Sequence, residues 1–326
     1  MSIQKIARMA GVSVATVSRV LNNSDSVKEA NREKVLQAIK ASNYQPNLLA
    51  RQLRTSRSSM VLVLVSNISN PFCAEVVKGI EAQAEKNGYR ILLCNSGSDI
   101  ERSRSSLQML AGKMVDGIIT MDAFSKLPDL ARLIGEMPWV QCAEYADEGE
   151  ISCVGINDIE AAQQVVGYLA EKGCQRIALI NHDLSYKYAQ LREQGYRAAL
   201  KRGQLNWQAI AYASELSFSA GKQAMASLLE QEEKPDAVFA VSDTLAAGAM
   251  SVIQQAGLRV PEDIAVVGFD GTELAEMTSP PLTTLAQPSR DIGRQAFMLL
   301  LQKIDSPASG AERVMLDWQL IRRASA

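Results

Sequence analysis

Val12-Ser13-Val14-Ala15-Thr16-Val17-Ser18-Arg19-Val20-Leu21-Asn22 decides how this chain is read. Before it stands Ile6-Ala7-Arg8-Met9-Ala10-Gly11, in which Ile6, Ala7 and Ala10 share one helical face and Gly11 breaks the pattern. Ser13 is placed to cap a second helix that buries Val17, Val20 and Leu21. Two short helices joined at a glycine make a helix-turn-helix. The second helix of that motif enters the DNA major groove by its N-terminal residues, here Val14, Ala15, Thr16, Ser18 and Arg19. Taken alone, such a pair is more often an ordinary helical hairpin. Its surroundings decide between the two.

Charge is the first of those surroundings. The chain has 326 residues and a net charge of −2. Residues 1–57 carry ten Lys and Arg against three acids, a net +7, which leaves −9 for the remainder. A basic head on an acidic body is the footprint of a nucleic-acid reader with a separate second function. A merely solvated basic surface would not need to coincide with a helix-turn-helix. At 47% hydrophobic and 21% charged the chain as a whole is ordinary globular protein, long enough for two or three domains. No run of about 18 apolar residues is present, so no transmembrane helix is expected. No secretory leader is expected either. Cys73, Cys94, Cys142, Cys153 and Cys174 are scattered and form no CxxC pair, so neither zinc nor a disulfide framework is expected. A reducing cytoplasm fits best.

Ser26 followed by Glu29 reads as a capping box that opens a third helix to about Ser42, burying Val35, Leu36 and Ile39. The expected headpiece is residues 1–45. Tyr44-Gln45-Pro46-Asn47 stops that helix, and Leu48-Leu49-Ala50-Arg51-Gln52-Leu53-Arg54 follows. This heptapeptide is too short to persist as a helix in water and too apolar for a plain linker, as a segment that folds against a partner would be. Residues 46–59 are therefore assigned as hinge helix and linker.

From Met60 short apolar runs alternate with amphipathic stretches. Strands are expected at Met60–Ser66, Arg90–Cys94, Gly117–Met121, Trp139–Cys142, Arg176–Ile180, Ala237–Val241 and Ala265–Gly268, and a last one at Val314–Leu320. Helices are expected between them, including Pro71–Asn87 capped by Asn70, Leu127–Ile134, Ile159–Glu171, Ala189–Arg202, Ala220–Leu229 and Thr244–Ala256, with Asp291–Ile304 later. This alternation predicts an α/β body of two doubly wound parallel-sheet lobes over residues 60–326. The N-lobe takes about 60–157 plus about 288–320, and the C-lobe about 158–287. Ligands of such sheets bind beyond the carboxyl ends of the strands, so the cleft between the lobes is the expected site. No leucine heptads follow, and no tetramer-forming coiled coil is expected.

Ile6-Ala7, Gly11-Val12-Ser13 and Thr16 through Asn22 resemble the signature of the lactose/galactose repressor family of bacterial transcription regulators. The resemblance runs on through Asn70-Pro71-Phe72, Val115-Asp116-Gly117-Ile118-Ile119, Arg192 with Gly195-Tyr196, Ser242-Asp243, Val260-Pro261-Glu262-Asp263, Gly268-Phe269-Asp270, and Leu282-Thr283-Thr284 with Gln287-Pro288. It implies a helix-turn-helix before a periplasmic-binding-protein-like core, and it covers essentially the whole chain. Pro280 through Pro288 and Ala143-Glu144-Tyr145 look most like the cytidine-repressor branch of that family.

The resemblance implies roles for named residues. Val14 and Ala15 hold the main specificity positions, and both suit thymine methyls and close approach. Arg19 suits a guanine edge or a phosphate. Ser13, Thr16, Ser18, Asn22 and Asn31 suit phosphates, although Ser13 also reads as a plain cap. Leu53 matches the family's lever leucine, which wedges a central base step in the minor groove. The other reading is a leucine packed on the body. Ala50 would allow close approach there, and Arg51 and Arg54 would reach phosphates. Arg192 and Asp270 match the effector-binding arginine and aspartate, or else form an interlobe salt bridge. Ser242 and Asp243 follow a strand and could contact effector, with Asp243 equally readable as a helix cap. Phe72, Glu144, Tyr186, Tyr188, Leu216 and Gln287 fall at or near family contact positions. Cys73 departs from the family, which often has a second aromatic there. That counts against a flat stacked base and suits a small core residue. His182, the only histidine, reads as a surface or rim residue.

Together these readings predict a cytoplasmic homodimeric repressor. It would read a pseudo-palindromic double-stranded operator under the control of a small polar effector, a sugar or nucleoside. No enzymatic activity, cofactor or metal is expected, because no GxSxG, HExxH, Walker or GxGxxG pattern occurs. The rivals are a periplasmic-type solute binder, an α/β enzyme, and a family member acting as activator. A solute binder would have no basic head.

Overall fold

The computed structural model describes residues 2–21, 26–42, 57–97, 99–110, 114–121, 132–145 and 151–326. The chain divides into two compact units, Met1–Ser58 and Ser59–Ala326.

The first unit is helical. α1 (Ile3–Ala10) buries Ile6, Ala7 and Ala10, the stripe its periodicity requires. Gly11 ends it in left-handed backbone at φ 63°, where a side chain would be strained. The Gly11 N–H donates to the Arg8 carbonyl and the Val12 N–H to that of Ala7. α2 (Val14–Leu21) follows at once, and Ser13 Oγ accepts from the Thr16 N–H at 3.1 Å as its cap. Val17 and Val20 face the small core, with Leu21 half-buried beside them. α3 (Glu29–Ser42) opens two residues later than a Ser26 cap would place it. There the Lys28 carbonyl accepts from Asn31 and Arg32. α3 buries Val35 and Ala38 and half-buries Ile39. Leu36, expected inside, is 51% exposed. It sits one position past Val35, about 100° round the helix and off the stripe.

The second unit holds two six-stranded sheets. One contains β1 (Met60–Val65), β2 (Arg90–Asn95), β3 (Gly117–Met121), β4 (Trp139–Cys142), β5 (Ser152–Gly155) and β11 (Arg313–Met315), in the order β11-β5-β4-β3-β1-β2. Every pairing in it is parallel. The other contains β6 (Ile177–His182), β7 (Ala209–Ala213), β8 (Ala237–Ala240), β9 (Ala265–Asp270), β10 (Thr283–Ala286) and β12 (Gln319–Ile321), in the order β12-β10-β9-β8-β6-β7. Only β12 runs antiparallel, against β10. Central strands read as continuous apolar runs because both faces are covered. Val61 through Val65 are all buried.

The covering helices are α4 (Pro71–Lys86), α5 (Ile100–Leu110), α6 (Asp158–Glu171), α7 (Lys187–Arg202), α8 (Phe218–Leu229), α9 (Asp243–Gln255), the single turn α10 (Leu274–Met277) and α11 (Ser289–Asp305). α4 and α11 touch backbone to backbone. A Cβ on Gly79 would lie 2.2 Å from the Arg290 carbonyl oxygen, and one on Gly293 would lie 2.1 Å from that of Val76. The expected helix Leu127–Ile134 falls mostly outside the described residues.

The tail differs from the single strand expected at Val314–Leu320. The chain leaves the first sheet after the Leu316 N–H donates to the Gly155 carbonyl, and it joins the second at Gln319. Alternation along a chain cannot distinguish one strand from two that serve different sheets. The two sheets are thus joined at three places, after β5, after β10 and between β11 and β12. Among the described residues no helix is long and apolar enough to cross a membrane, and the five cysteines are free thiols.

Candidate functional sites: the cleft and the exposed face of the second helix

A cleft of about 750 Å³ opens where the strands of both sheets end. Its walls follow the carboxyl ends of β1 (Ser66, Asn67), β2 (Gly97, Asp99), β3 (Met121), β4 (Ala143, Glu144), β6 (His182, Asp183), β7 (Ser214 to Leu216), β8 (Val241), β9 (Asp270) and β10 (Gln287). Parallel strands end with carbonyls and loops on one side, which is where such folds take ligands.

Arg192 is the cleft's fixed cation. It projects from α7, and its Nε donates to Asp158 Oδ1 at 2.8 Å while Nη1 donates to the Val241 carbonyl at 2.7 Å. The guanidinium lies 3.6 Å from the Phe269 ring centroid and 4.8 Å from that of Tyr188. This stack and fork hold the group in one orientation. The interlobe salt bridge weighed for Arg192 with Asp270 is not formed; Arg192 pairs with Asp158 instead. Burial pushes the Asp158 carboxyl above the ordinary carboxylate range, and the adjacent guanidinium opposes the rise.

Asp270 ends β9 at φ 106°, an uncommon conformation for a residue with a side chain. Gln287 Nε2 donates to its Oδ1 at 2.8 Å, and Oδ2 has no partner among the described residues. Burial pushes this carboxyl well above the usual range, with Arg192 opposing and Asp243 adding to the rise. A rigid guanidinium and a carboxylate with a spare oxygen suit vicinal hydroxyls.

Aromatic rings line one wall. Tyr186 stacks on His182 with centroids 4.5 Å apart, and Tyr188 lies 6.0 Å away. Burial keeps the imidazole below its ordinary value, hence neutral, and pushes the Tyr188 phenol up, hence protonated. The Tyr188 hydroxyl and His182 Nδ1 are hydrogen-bonded across 2.6 Å. Phe72, Cys73 and Leu216 complete the lining drawn from the expected residues.

Glu144 does more than line the cleft. It follows β4 of the first sheet, yet Oε1 accepts from the Lys187 N–H at 2.6 Å and Oε2 from the Tyr188 N–H at 3.3 Å. Those amides open α7, which packs on the second sheet. The carboxylate of one lobe thus caps a helix of the other.

Ser242 and Asp243 do not line the cleft. Ser242 Oγ caps α9 by accepting from Leu245 N–H. Asp243 is neither wall nor cap. It accepts from the Thr284 hydroxyl at 2.5 Å and from both the N–H and hydroxyl of Thr272 at 2.7 and 2.9 Å. It ties the turn after β9 to β10 beneath the site, and burial pushes its carboxyl above the ordinary carboxylate range. His182, read as surface or rim, is only 6% exposed. Asn70, Asp99, Ser103 and Glu215 also line the cleft and were not singled out in the sequence. For Asp99 and Glu215 a position shortly after a strand was the available signal, and for Asn70 its place as the cap of α4; Ser103 lies inside α5 and offered none.

In the first unit, Val14, Ala15 and Arg19 stand exposed on one side of α2, opposite buried Val17 and Val20. Arg19 makes no ion pair among the described residues. Ser13 and Thr16 pair with each other, their oxygens 2.9 Å apart. Ser18 and Asn31 are half-buried. Asn22, Ala50, Arg51, Leu53 and Arg54 lie outside the described residues.

Residues 2–47 match the model for "Bacterial regulatory proteins, lacI family", and residues 166–326 match a periplasmic binding protein-like domain. The ribose operon repressor of Escherichia coli (strain K12) is 36% identical over 328 residues, covering 100% of this chain and 99% of the relative. The transcriptional repressor CytR of the same strain is also 36% identical, over 99% of this chain and 96% of its own length. Equal identity to both gives the cytidine branch no preference. The crystal structure of the lac repressor dimer bound to operator and the anti-inducer ONPF superposes with a TM-score of 0.89 at 29% identity, covering 100% of this chain and 98% of that one. With a helix-turn-helix that has an exposed reading face and a two-sheet core with a polar cleft, the chain belongs to the lacI family of bacterial regulatory proteins, DNA-binding transcription regulators with an effector-binding core.

Proposed function

We propose that the protein is a transcriptional repressor that holds operator DNA by α2 and whose grip is set by a small polar effector in the cleft. It works as a homodimer in the cytoplasm. Each copy reads one half of a pseudo-palindromic site, because two-fold protein symmetry imposes two-fold symmetry on the DNA. Val14 and Ala15 meet thymine methyls, and Arg19 is the main polar reader of base edges. Ser13, Thr16, Ser18, Asn22 and Asn31 contact phosphates, which position the head without choosing sequence. Leu53, flanked by Ala50, Arg51 and Arg54, wedges a central step in the minor groove.

Arg192 and Asp270 anchor effector hydroxyls, and Gln287 holds the aspartate in place. Phe72, Tyr186 and Tyr188 wall an apolar face, with Cys73, Glu144 and Leu216 around it. The effector is a sugar or nucleoside, bound and released unchanged. It acts only through its different affinity for the two operator-binding states.

The observation that carries this reading is the exposed Val14–Ala15–Arg19 face on a head of net charge +7. Gel-shift titration of the full chain tests it, using duplexes selected from a random pool against unselected DNA. Wild-type protein should prefer the selected site. Arg19→Ala should cut that preference by about 1–3 kcal/mol, roughly 5- to 150-fold. Full discrimination by the variant would remove Arg19 from its role, and equal binding of all duplexes by wild type would overturn the function.

A further inference from the structure

The charge around the cleft decides what it can hold. Among the described residues the carboxylates of Asp99, Glu144, Asp183 and Glu215 line it, against Arg192 alone among lysines and arginines. Asp270 lines it too, but burial pushes its carboxyl up to about 8, so it adds little negative charge at neutral pH. That one guanidinium is already paired with buried Asp158. The free amides at helix N-termini are the other common means of holding an anion. Here several of those amides are capped by side chains. Asn70 Oδ1 accepts from Phe72 N–H at the start of α4. Asp99 Oδ1 accepts from Glu101 and Arg102 N–H at the start of α5. Glu144 covers the first two amides of α7. Ser217 and Ser242 cap α8 and α9. Two of these caps are carboxylates, and Glu144 is only 4% exposed.

We infer that Glu144 is a specificity-determining residue of the cleft, which bars phosphorylated and carboxylated forms of the sugar or nucleoside effector. The inference rests on the effector-binding reading of the cleft. A phosphate entering beside Arg192 would meet a guanidinium already neutralised by Asp158 and several carboxylates around it. Glu144 occupies the α7 amides as an internal anion would, because its carboxylate and the positive helix end satisfy each other. A neutral hydroxylated ligand meets no such opposition. It can donate to the spare oxygen of Asp270 and accept from Arg192 Nη2, which has no partner among the described residues.

The full-length protein is tested by calorimetry and thermal shift with ribose, ribose 5-phosphate, a panel of neutral hexoses and nucleosides, and inorganic phosphate. In wild type at least one neutral compound should bind, and its phosphorylated form should bind about a hundredfold more weakly or not at all. Glu144→Ala, with the α7 amides uncovered, should gain binding of inorganic phosphate that wild type lacks. Glu144→Gln keeps one acceptor without the charge, and should show a smaller gain while folding normally. Tighter binding of a phosphorylated than of a neutral form by wild type overturns the inference. So does the lack of any gain in both variants, provided circular dichroism shows them folded. If no neutral compound binds wild type, the effector reading of the cleft fails, and phosphate binding by Glu144→Ala still decides the role of Glu144.

Discussion

Asp270 concentrates the chemistry of the cleft in one residue. Its backbone sits at φ 106° and its carboxyl is buried, with Gln287 on one oxygen. Burial first, and then Asp243, hold the acid above the usual carboxylate range. A group raised on folding supports the fold most when protonated. That support is complete below the ordinary range and declines as pH climbs toward the raised value. Asp270→Asn keeps the acceptor for Gln287 without the charge. The variant should therefore melt a few degrees above wild type at pH 8, the gap closing near pH 4, in thermal melts across pH. Effector hydroxyls donate best to the ionised acid, so effector affinity of wild type should rise with pH over the same window while that of Asp270→Asn stays flat and about 10- to 100-fold weaker. Falling affinity with pH in wild type would mean that the protonated acid is the binding form.

At the scale of elements, close helix packing sets the geometry that the site inherits. α11 follows directly on Gln287, and its Gly293 lies against the α4 backbone. Gly293→Ala would put a Cβ 2.1 Å from the Val76 carbonyl oxygen, and neither backbone can yield by rotating a side chain. A loss of about 1–3 kcal/mol or more is expected, read as a lower urea midpoint with unchanged slope. Such contacts were invisible in the sequence, where Gly293 is one glycine in a helical run. The long apolar strands and the α1–Gly11–α2 turn were legible, because period and punctuation are local properties. β5, β7 and β10 were not: Ser152–Gly155 and Thr283–Ala286 are four residues each and carry polar residues that only their neighbours bury. The site followed the same divide. Nine of the eleven expected effector residues line the cleft, most of them just beyond a strand or at a helix start, with Arg192 reaching in from the second turn of α7. Ser242 and Asp243 share that position and still turn away: Ser242 caps α9 locally at Leu245, and Asp243 ties Thr272 to Thr284, partners 29 and 41 residues along the chain. The trans-lobe cap by Glu144 depends on a helix that begins 43 residues later.

The whole molecule is organised by its charge. A head of +7 and a remainder of −9 leave a nearly neutral chain, yet only the head meets DNA in the proposed function. Phosphate contacts release counterions, so the logarithm of operator affinity should fall linearly with that of salt, by about 0.9 for each phosphate neutralised. The same slope should describe unselected DNA, because those contacts ignore sequence. Base reading adds a vertical offset between the two lines and leaves their slopes alike. Arg19 distinguishes the two contributions. If its exposed guanidinium reads a guanine edge, Arg19→Ala should close the offset between selected and unselected duplexes and leave the slope nearly unchanged. If it holds a phosphate, the slope should drop by about 0.9 per half-site and the offset should stay. The first outcome is expected, because Arg19 shares the exposed side of α2 with Val14 and Ala15, whose short apolar side chains offer no polar reading of their own. Gel shifts between about 50 and 200 mM salt, run on both duplexes with both proteins, measure slope and offset together. A slope change at constant offset would assign sequence choice to Val14, Ala15 and the shape of the DNA.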